Sequence, residues 1–248
     1  LTALNKVPAV ILGFWITKIC ATTLGETGGD LMSMTLNVGY ALSSLILLGL
    51  FAVALLVQLR VNRYIPAVYW LVVLSTSTVG TTMSDYMDRS LGLGYAAGSL
   101  ILAGLLVVVL SVWRLSVGSL SVSNISSLRS ELFYWAAILV SNTLGTALGD
   151  YLADDSGLGF LGAAVLIGCV IACIALAYRL SRINRIALFW LAFVLTRPFG
   201  ATFGDLLTKP LSGGGLGFGT VGASAILAVL LGILVIRETP RPVAPALK

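Results

Sequence analysis

Long apolar stretches dominate the chain, interrupted by short polar clusters at regular intervals. The stretches are continuously apolar and do not alternate residue by residue, which predicts helices and argues against a β-barrel. Each is about 20 residues long, enough to cross a hydrocarbon core about 30 Å thick. The pattern predicts pairs of helices. Helix A spans roughly 11–30, 65–86, 131–151 and 187–206; helix B spans roughly 38–59, 94–114, 158–178 and 217–236. The expectation is an all-α polytopic membrane protein of eight transmembrane helices. Composition agrees: 58% of residues are hydrophobic and only 10% charged, against about 25% charged in a soluble domain.

The polar clusters are copies of one another. "LGETGGD" at 24–30, "VGTTMSD" at 79–85, "LGTALGD" at 144–150 and "FGATFGD" at 199–205 each place Gly five positions before Asp. A Trp precedes that Gly by ten positions: Trp15, Trp70, Trp135 and Trp190. A further glycine opens each helix B (Gly39, Gly94, Gly159 and Gly217), and each unit runs apolar to an Arg: Arg60, Arg114, Arg179 and Arg237. Self-similarity at fixed spacing governs the fold reading. It divides the chain into repeat 1 (1–64), repeat 2 with a Ser-rich linker (65–130), repeat 3 (131–186) and repeat 4 with the C-terminal tail (187–248). Two helices per unit return the chain to its starting side. The repeats are therefore parallel helical hairpins, expected in a pseudo-fourfold arrangement with helices A inside.

Charge sets the orientation. Lys6, Arg60, Arg63, Arg114, Arg129, Arg179, Arg182, Arg185, Arg237, Arg241 and Lys248 fall on the repeat-boundary side, whereas the opposite side holds Arg89 and Lys209. The positive-inside rule puts both termini in the cytoplasm, for a bacterial inner-membrane protein. Residues 1–10 lack the charged start and cleavage site of a signal peptide, so the first apolar run is expected to be a membrane helix. The net charge of +5 punctuates apolar runs and does not indicate nucleic acid. Lipid is the expected environment, and an oligomer is compatible with the pattern. The tryptophans are expected in an interfacial belt. Cys20, Cys169 and Cys173 are read as packing residues; histidine is absent from the sequence.

Positions four apart share a helix face. On helix A that face reads Lys18, Thr22, Glu26, Asp30 in repeat 1 and Ser77, Thr81, Asp85 in repeat 2. It reads Asn142, Thr146, Asp150 in repeat 3 and Arg197, Ala201, Asp205 in repeat 4. Polar groups facing lipid are costly, so these seams should face inward. The glycines at 25/29, 80, 145/149 and 200/204 form small-residue faces suited to close helix approach. Lys18 and Arg197 break the repeat symmetry and are the expected internal counter-ions. Lys18 is close enough to the boundary side to snorkel, and Arg197 has Glu26 or an Asp as candidate partner. Two cations against five acids leave a surplus of three carboxylates that needs protons or a bound cation.

The repeated "LGxxxGD" hairpin resembles a family of bacterial membrane proteins built from a repeat of unknown function (domain-of-unknown-function family 347). The resemblance covers essentially the whole chain and departs in repeat 4, where Pro198 replaces the Thr and the loop is longer. It implies the architecture and leaves function open.

The seam's oxygen-only chemistry suits hard cations. The expectation is a transporter for small cations, foremost a divalent metal such as manganese, with magnesium and calcium as further candidates. Glu26 and Asp30 are the expected metal ligands. Asp85, Asp150, Asp205, Thr22, Thr81, Asn142 and Thr146 complete the ion pathway, and no tightly bound cofactor is expected. The alternatives are a proton-coupled carrier of a small organic or anionic solute, with Arg197 as carboxylate clamp, and a non-transporting assembly subunit. The chain is not expected to be an enzyme, because no nucleophile–base or metalloprotease constellation is present.

Overall fold

A computed structural model describes residues 6–122, 125 and 127–238; the C-terminal Arg241 and Lys248, and Ser123, Asn124 and Ser126 of the linker, lie outside them. The described residues form eight α-helices and no strand: α1 (Leu12–Asp30), α2 (Tyr40–Arg60), α3 (Pro66–Asp85), α4 (Tyr95–Val117), α5 (Leu128–Asp150), α6 (Gly159–Leu180), α7 (Arg185–Thr208) and α8 (Gly219–Arg237). Six of them, α2 and α4 through α8, are long and apolar enough to cross a membrane. The protein is thus an all-helical membrane protein with internal repeats. Helix α1 falls outside the six because Lys18, Glu26, Asp30 and a run of threonines dilute its hydropathy, and α3 because of its Ser and Thr residues.

Local chemistry explains the boundaries. Helix α5 begins three residues before the expected start because the Ser127 side chain caps it, accepting from the Ser130 N–H at 3.2 Å. Asn184 does the same for α7, accepting from Ile186 N at 2.9 Å. At the other end, α1, α3 and α5 each close on the motif Asp and pass into a π-helical turn: Leu31–Thr35, Tyr86–Ser90 and Tyr151–Asp155. Helix α7 instead runs on to a Gly-rich loop holding a short 3-10 turn, Leu211–Gly213. The glycine opening each helix B has φ of 81°, 73°, 66° and 73° at Gly39, Gly94, Gly159 and Gly217. A side chain disfavours that conformation, which accounts for the recurrence of glycine there.

The odd-numbered helices close a ring: α1 on α3, α3 on α5, α5 on α7, α7 on α1. The even-numbered helices lie outside, each with a narrow buried stripe such as Phe51, Ala54 and Gln58 on α2. Their pairing differs from the closed hairpins expected. Helix α2 packs on α3, α4 on α5, α6 on α7, and α8 returns to α1. Each outer helix thus clasps the inner helix of the next repeat, which ties the four repeats into one body.

Two further expectations are corrected. Trp70, Trp135 and Trp190 are buried in the aromatic core, each ring packed on aromatic neighbours rather than standing in a lipid-facing belt. Cys169 and Cys173 are exposed on the outer face of α6 rather than packed inside.

Candidate functional site: a buried polar axis

Glycines bring the inner helices together in a cyclic register. A Cβ on Gly25 would lie 2.1 Å from Ser77 Oγ, one on Gly80 2.9 Å from the Asn142 carbonyl carbon, one on Gly145 2.2 Å from Arg197 Cγ, and one on Gly200 2.5 Å from Thr22 Oγ1. Every motif glycine therefore receives the seam residue of the following repeat, and repeat 4 receives repeat 1. Close approach is the physical demand behind the repeated glycine.

This register stacks the seam into buried layers. One layer holds Thr22, Ser77, Asn142 and Arg197, and the next Glu26, Thr81, Thr146 and Ala201. Asp30, Asp85, Asp150 and Asp205 form the layer at the loop side. Toward the repeat boundary lie Lys18, Val73, Ile138 and Phe193, then Phe14, Tyr69 and Tyr134, all buried, with Phe189 packed on Phe14. The hydroxyls of Tyr69 and Tyr134 meet at 2.5 Å. The axis is polar from the aspartates to the Arg197 layer and closed by aromatic rings below.

Arg197 is fully buried and forms an ion pair with Glu26, Nη2 to Oε2 at 2.9 Å. The same nitrogen reaches the hydroxyls of Thr81 and Thr146, each at 2.6 Å. Thr81 and Thr146 also donate to Glu26, at 3.2 and 3.4 Å. Four helices thus meet on one carboxylate–guanidinium pair, although Arg197 Nε and Nη1 find no partner among the described residues. Asn142 donates to Thr76 Oγ1 at 2.8 Å, and Thr22 to the Thr196 carbonyl at 3.3 Å.

Lys18 does not snorkel. Its ammonium is buried over the Phe193 ring, 3.9 Å from the centroid, donating to Thr196 Oγ1 at 2.6 Å and the Phe193 carbonyl at 3.1 Å. No carboxylate pairs with it among the described residues.

The aspartate layer holds two cations that sequence reasoning treated only as exceptions to the charge bias. Arg89 bridges Asp85, at 3.0 Å, and Asp150, at 3.5 Å. Lys209 bridges Asp205 and Asp30, both at 3.0 Å. Burial opposes the charge of the Lys209 ammonium, but Asp205 and Asp30 outweigh it and hold its pKa above the usual range. The signal was in the sequence: Arg89 and Lys209 each stand four residues after the motif Asp of their own repeat, the spacing of an intrahelical ion pair. Repeats 1 and 3 have Met34 and Asp154 at that position. With these cations counted, five axial acids face Lys18, Arg89, Arg197 and Lys209. One formal negative charge remains, where the sequence alone suggested three.

One face of this layer has a metal-compatible geometry. A carboxylate oxygen from each of Glu26, Asp30 and Asp205 lies within 4.8 Å of the other two, and all three residues are buried. Glu26 and Asp30, the ligands expected from sequence, are thus joined by Asp205 from the neighbouring helix α7. Asp85 and Asp150 belong to the Arg89 side instead.

No curated protein and no solved structure matches the chain. The repeat of unknown function (DUF347) matches it over residues 13–64, 68–119, 133–184 and 188–238. Each span opens within the first two turns of an inner helix and closes just past the end of the following outer helix, and the chain belongs to that family.

Proposed function

We propose that the protein is a membrane transporter for small hard cations, with a divalent ion such as Mn²⁺ as the favoured cargo. In this reading all eight helices span the membrane in a pseudo-fourfold bundle. Helix α1 has 19 residues, a rise of about 28 Å, and its polar residues face the axis, so lipid meets its apolar side. The positive-inside rule puts both termini in the cytoplasm of an inner membrane.

The observation that carries the reading is the convergence of Glu26, Asp30 and Asp205 within 4.8 Å. Hard divalent cations take oxygen ligands at about 2.0–2.6 Å, and three carboxylates at that spacing can close on one ion with little movement. Transfer to the far side requires the Phe14–Tyr69–Tyr134 layer to part, which favours a carrier over a permanently open channel. On this reading the chain performs no covalent chemistry.

The test is Mn²⁺ uptake by liposomes holding the purified protein. Uptake that Glu26→Gln and Asp30→Asn abolish supports the reading; liposomes no more permeable than protein-free ones refute it. The unpartnered Nε and Nη1 of Arg197 favour a second reading, a carrier of a small carboxylate clamped there. It predicts thermal stabilisation by carboxylates that Arg197→Ala removes.

A further inference from the structure

The cation site of the preceding section is already filled by a side chain of the protein itself. We infer that Lys209 is a tethered competitor: its ammonium holds the cargo's place between Asp30 and Asp205 and swings out when a metal ion enters. This inference rests on the cation-transport reading and adds to it the event that admits the ion.

Three observations carry it. The Lys209 ammonium lies 3.0 Å from both Asp30 Oδ2 and Asp205 Oδ1, two of the three residues that could hold a metal. A cation and that ammonium cannot occupy this face together. Next, Asp30 Oδ1 is buried without a hydrogen-bond partner among the described residues, so the face has unused ligand capacity even with lysine in place. Finally, Lys209 has an exit. It follows the last residue of α7, its side chain is 25% exposed, and the chain continues into Pro210 and the Gly-rich loop.

Arg89, at the equivalent position of repeat 2, is held differently. Its Nε lies 3.0 Å from Asp85 and its Nη2 3.5 Å from Asp150; its Nη1 donates to the Tyr40 hydroxyl at 3.4 Å, and the guanidinium lies over Tyr95. A guanidinium fork spread over four groups is held at more points than an ammonium, a single point charge on a flexible stem, even though Arg89 is the more exposed of the two, at 33%. The fixed cation keeps one side of the ring closed and the movable one opens the other.

The difference in site charge sets the readout. With Lys209 in place the trio and its two cations, Lys209 and Arg197, carry a formal charge of −1; with the ammonium withdrawn that becomes −2. Removing the competitor should therefore raise metal affinity, and fixing it should lower affinity. Mn²⁺ binding to the detergent-purified full chain is measured by titration calorimetry for wild type, Lys209→Gln, Lys209→Arg and Arg89→Gln. Lys209→Gln is expected to bind Mn²⁺ about tenfold more tightly or better. Lys209→Arg, which keeps the charge in a fork that grips both carboxylates, is expected to bind more weakly than wild type. Arg89→Gln is expected to change affinity less than Lys209→Gln does. If wild type binds Mn²⁺ and Lys209→Gln binds it equally or less well, Lys209 is a structural brace and the inference fails while cation transport stands. If neither wild type nor any variant binds Mn²⁺, Mg²⁺ or Ca²⁺, the transport reading falls as well. Lys209→Arg retains the ion pairs, so it decides the question even if Lys209→Gln does not fold.

Discussion

The Glu26–Arg197 pair offers the sharpest test of the axial site. The two groups lie 2.9 Å apart, with side chains 4% and 0% exposed. At an effective dielectric of about 20, their gross attraction is about 6 kcal/mol, most of which offsets the desolvation of both charges. Removing one partner forfeits the attraction and leaves the other charge stranded, a loss of about 3–5 kcal/mol. Arg197→Met leaves Glu26 with the Thr81 and Thr146 hydroxyls as its partners among the described residues. Glu26→Gln leaves a guanidinium whose Nε and Nη1 already lack partners. In a chain of this size each kcal/mol moves the melting temperature by about 2–4 °C, so each single variant should melt about 6–20 °C lower. The double variant strands neither charge and should recover much of the loss, with a coupling energy of about 2 kcal/mol or more. The assay is thermal unfolding in one detergent at fixed pH, followed by tryptophan fluorescence, because the buried tryptophans surround the lower axis. Single variants within about 2 °C of wild type, or losses that simply add in the double, would refute a tightly paired buried charge.

Other variants probe the rest of the axis. Lys18→Met removes a buried ammonium with no carboxylate partner among the described residues, and replacing an uncompensated charge with an apolar side chain should raise the melting temperature; a fall shows that the ammonium is compensated. Gly80→Ala places a methyl 2.9 Å from the Asn142 and Thr143 backbone, costing about 1–3 kcal/mol of overpacking against a helix-propensity gain of about 1 kcal/mol. Gly104→Ala, on α4 with nothing within 4 Å among the described residues, has only the gain, so the two should shift melting in opposite directions. Saturating Mn²⁺, at about 100 times its dissociation constant, should stabilise the wild type by about 2.7 kcal/mol, and melting of Asp30→Asn should not respond.

Much of this was legible in the sequence because it is written four times. The Gly–Asp spacing and the inward seam recur in register, the glycine before the outer helix follows the Asp by nine residues in three repeats and by twelve in the fourth, and repetition separates a structural demand from chance. The Glu26–Arg197 pair was legible as a candidate because Arg197 departs from its neutral equivalents and Glu26 stands one turn from Asp30 on the same seam. Less legible was what depends on spatial rather than covalent neighbours. Repeats show that α1 and α2 are consecutive, but not that α2 packs on α3. The tryptophans lie at a depth suited to an interface, and only the arrangement of helices turns them inward. Lys18 has a stem long enough to snorkel, yet Phe193 and Thr196 from α7 hold it inside. Arg89 and Lys209 were missed for a different reason. Their spacing from Asp85 and Asp205 was visible, but the charge-bias rule assigned them to a solvated loop.

The fourfold sequence and the distribution of charge do not share the same symmetry, and the difference has a physical consequence. A ring of four equivalent aspartates would place like charges together, a costly state in a low-dielectric interior. Cations in repeats 2 and 4 divide it into two bridged pairs, Asp85–Arg89–Asp150 and Asp205–Lys209–Asp30. The ring of four inner helices is then divided in charge into two bridged pairs, although its sequence is a fourfold repeat. Glu26 breaks even that symmetry, because its equivalents Thr81, Thr146 and Ala201 carry no charge. It adds a third carboxylate to the Lys209 side, and Arg197 partly neutralises it. The side with three carboxylates is thus the one guarded by the movable cation, and the side with two the one tied by the fixed cation, while Arg197 brings both sides to the same formal charge of −2 before Lys209 or Arg89 is counted. A merely structural ring would gain more from the stronger guanidinium brace where the carboxylates are most crowded. The reverse placement is what a site needs if its three carboxylates must be uncovered during function.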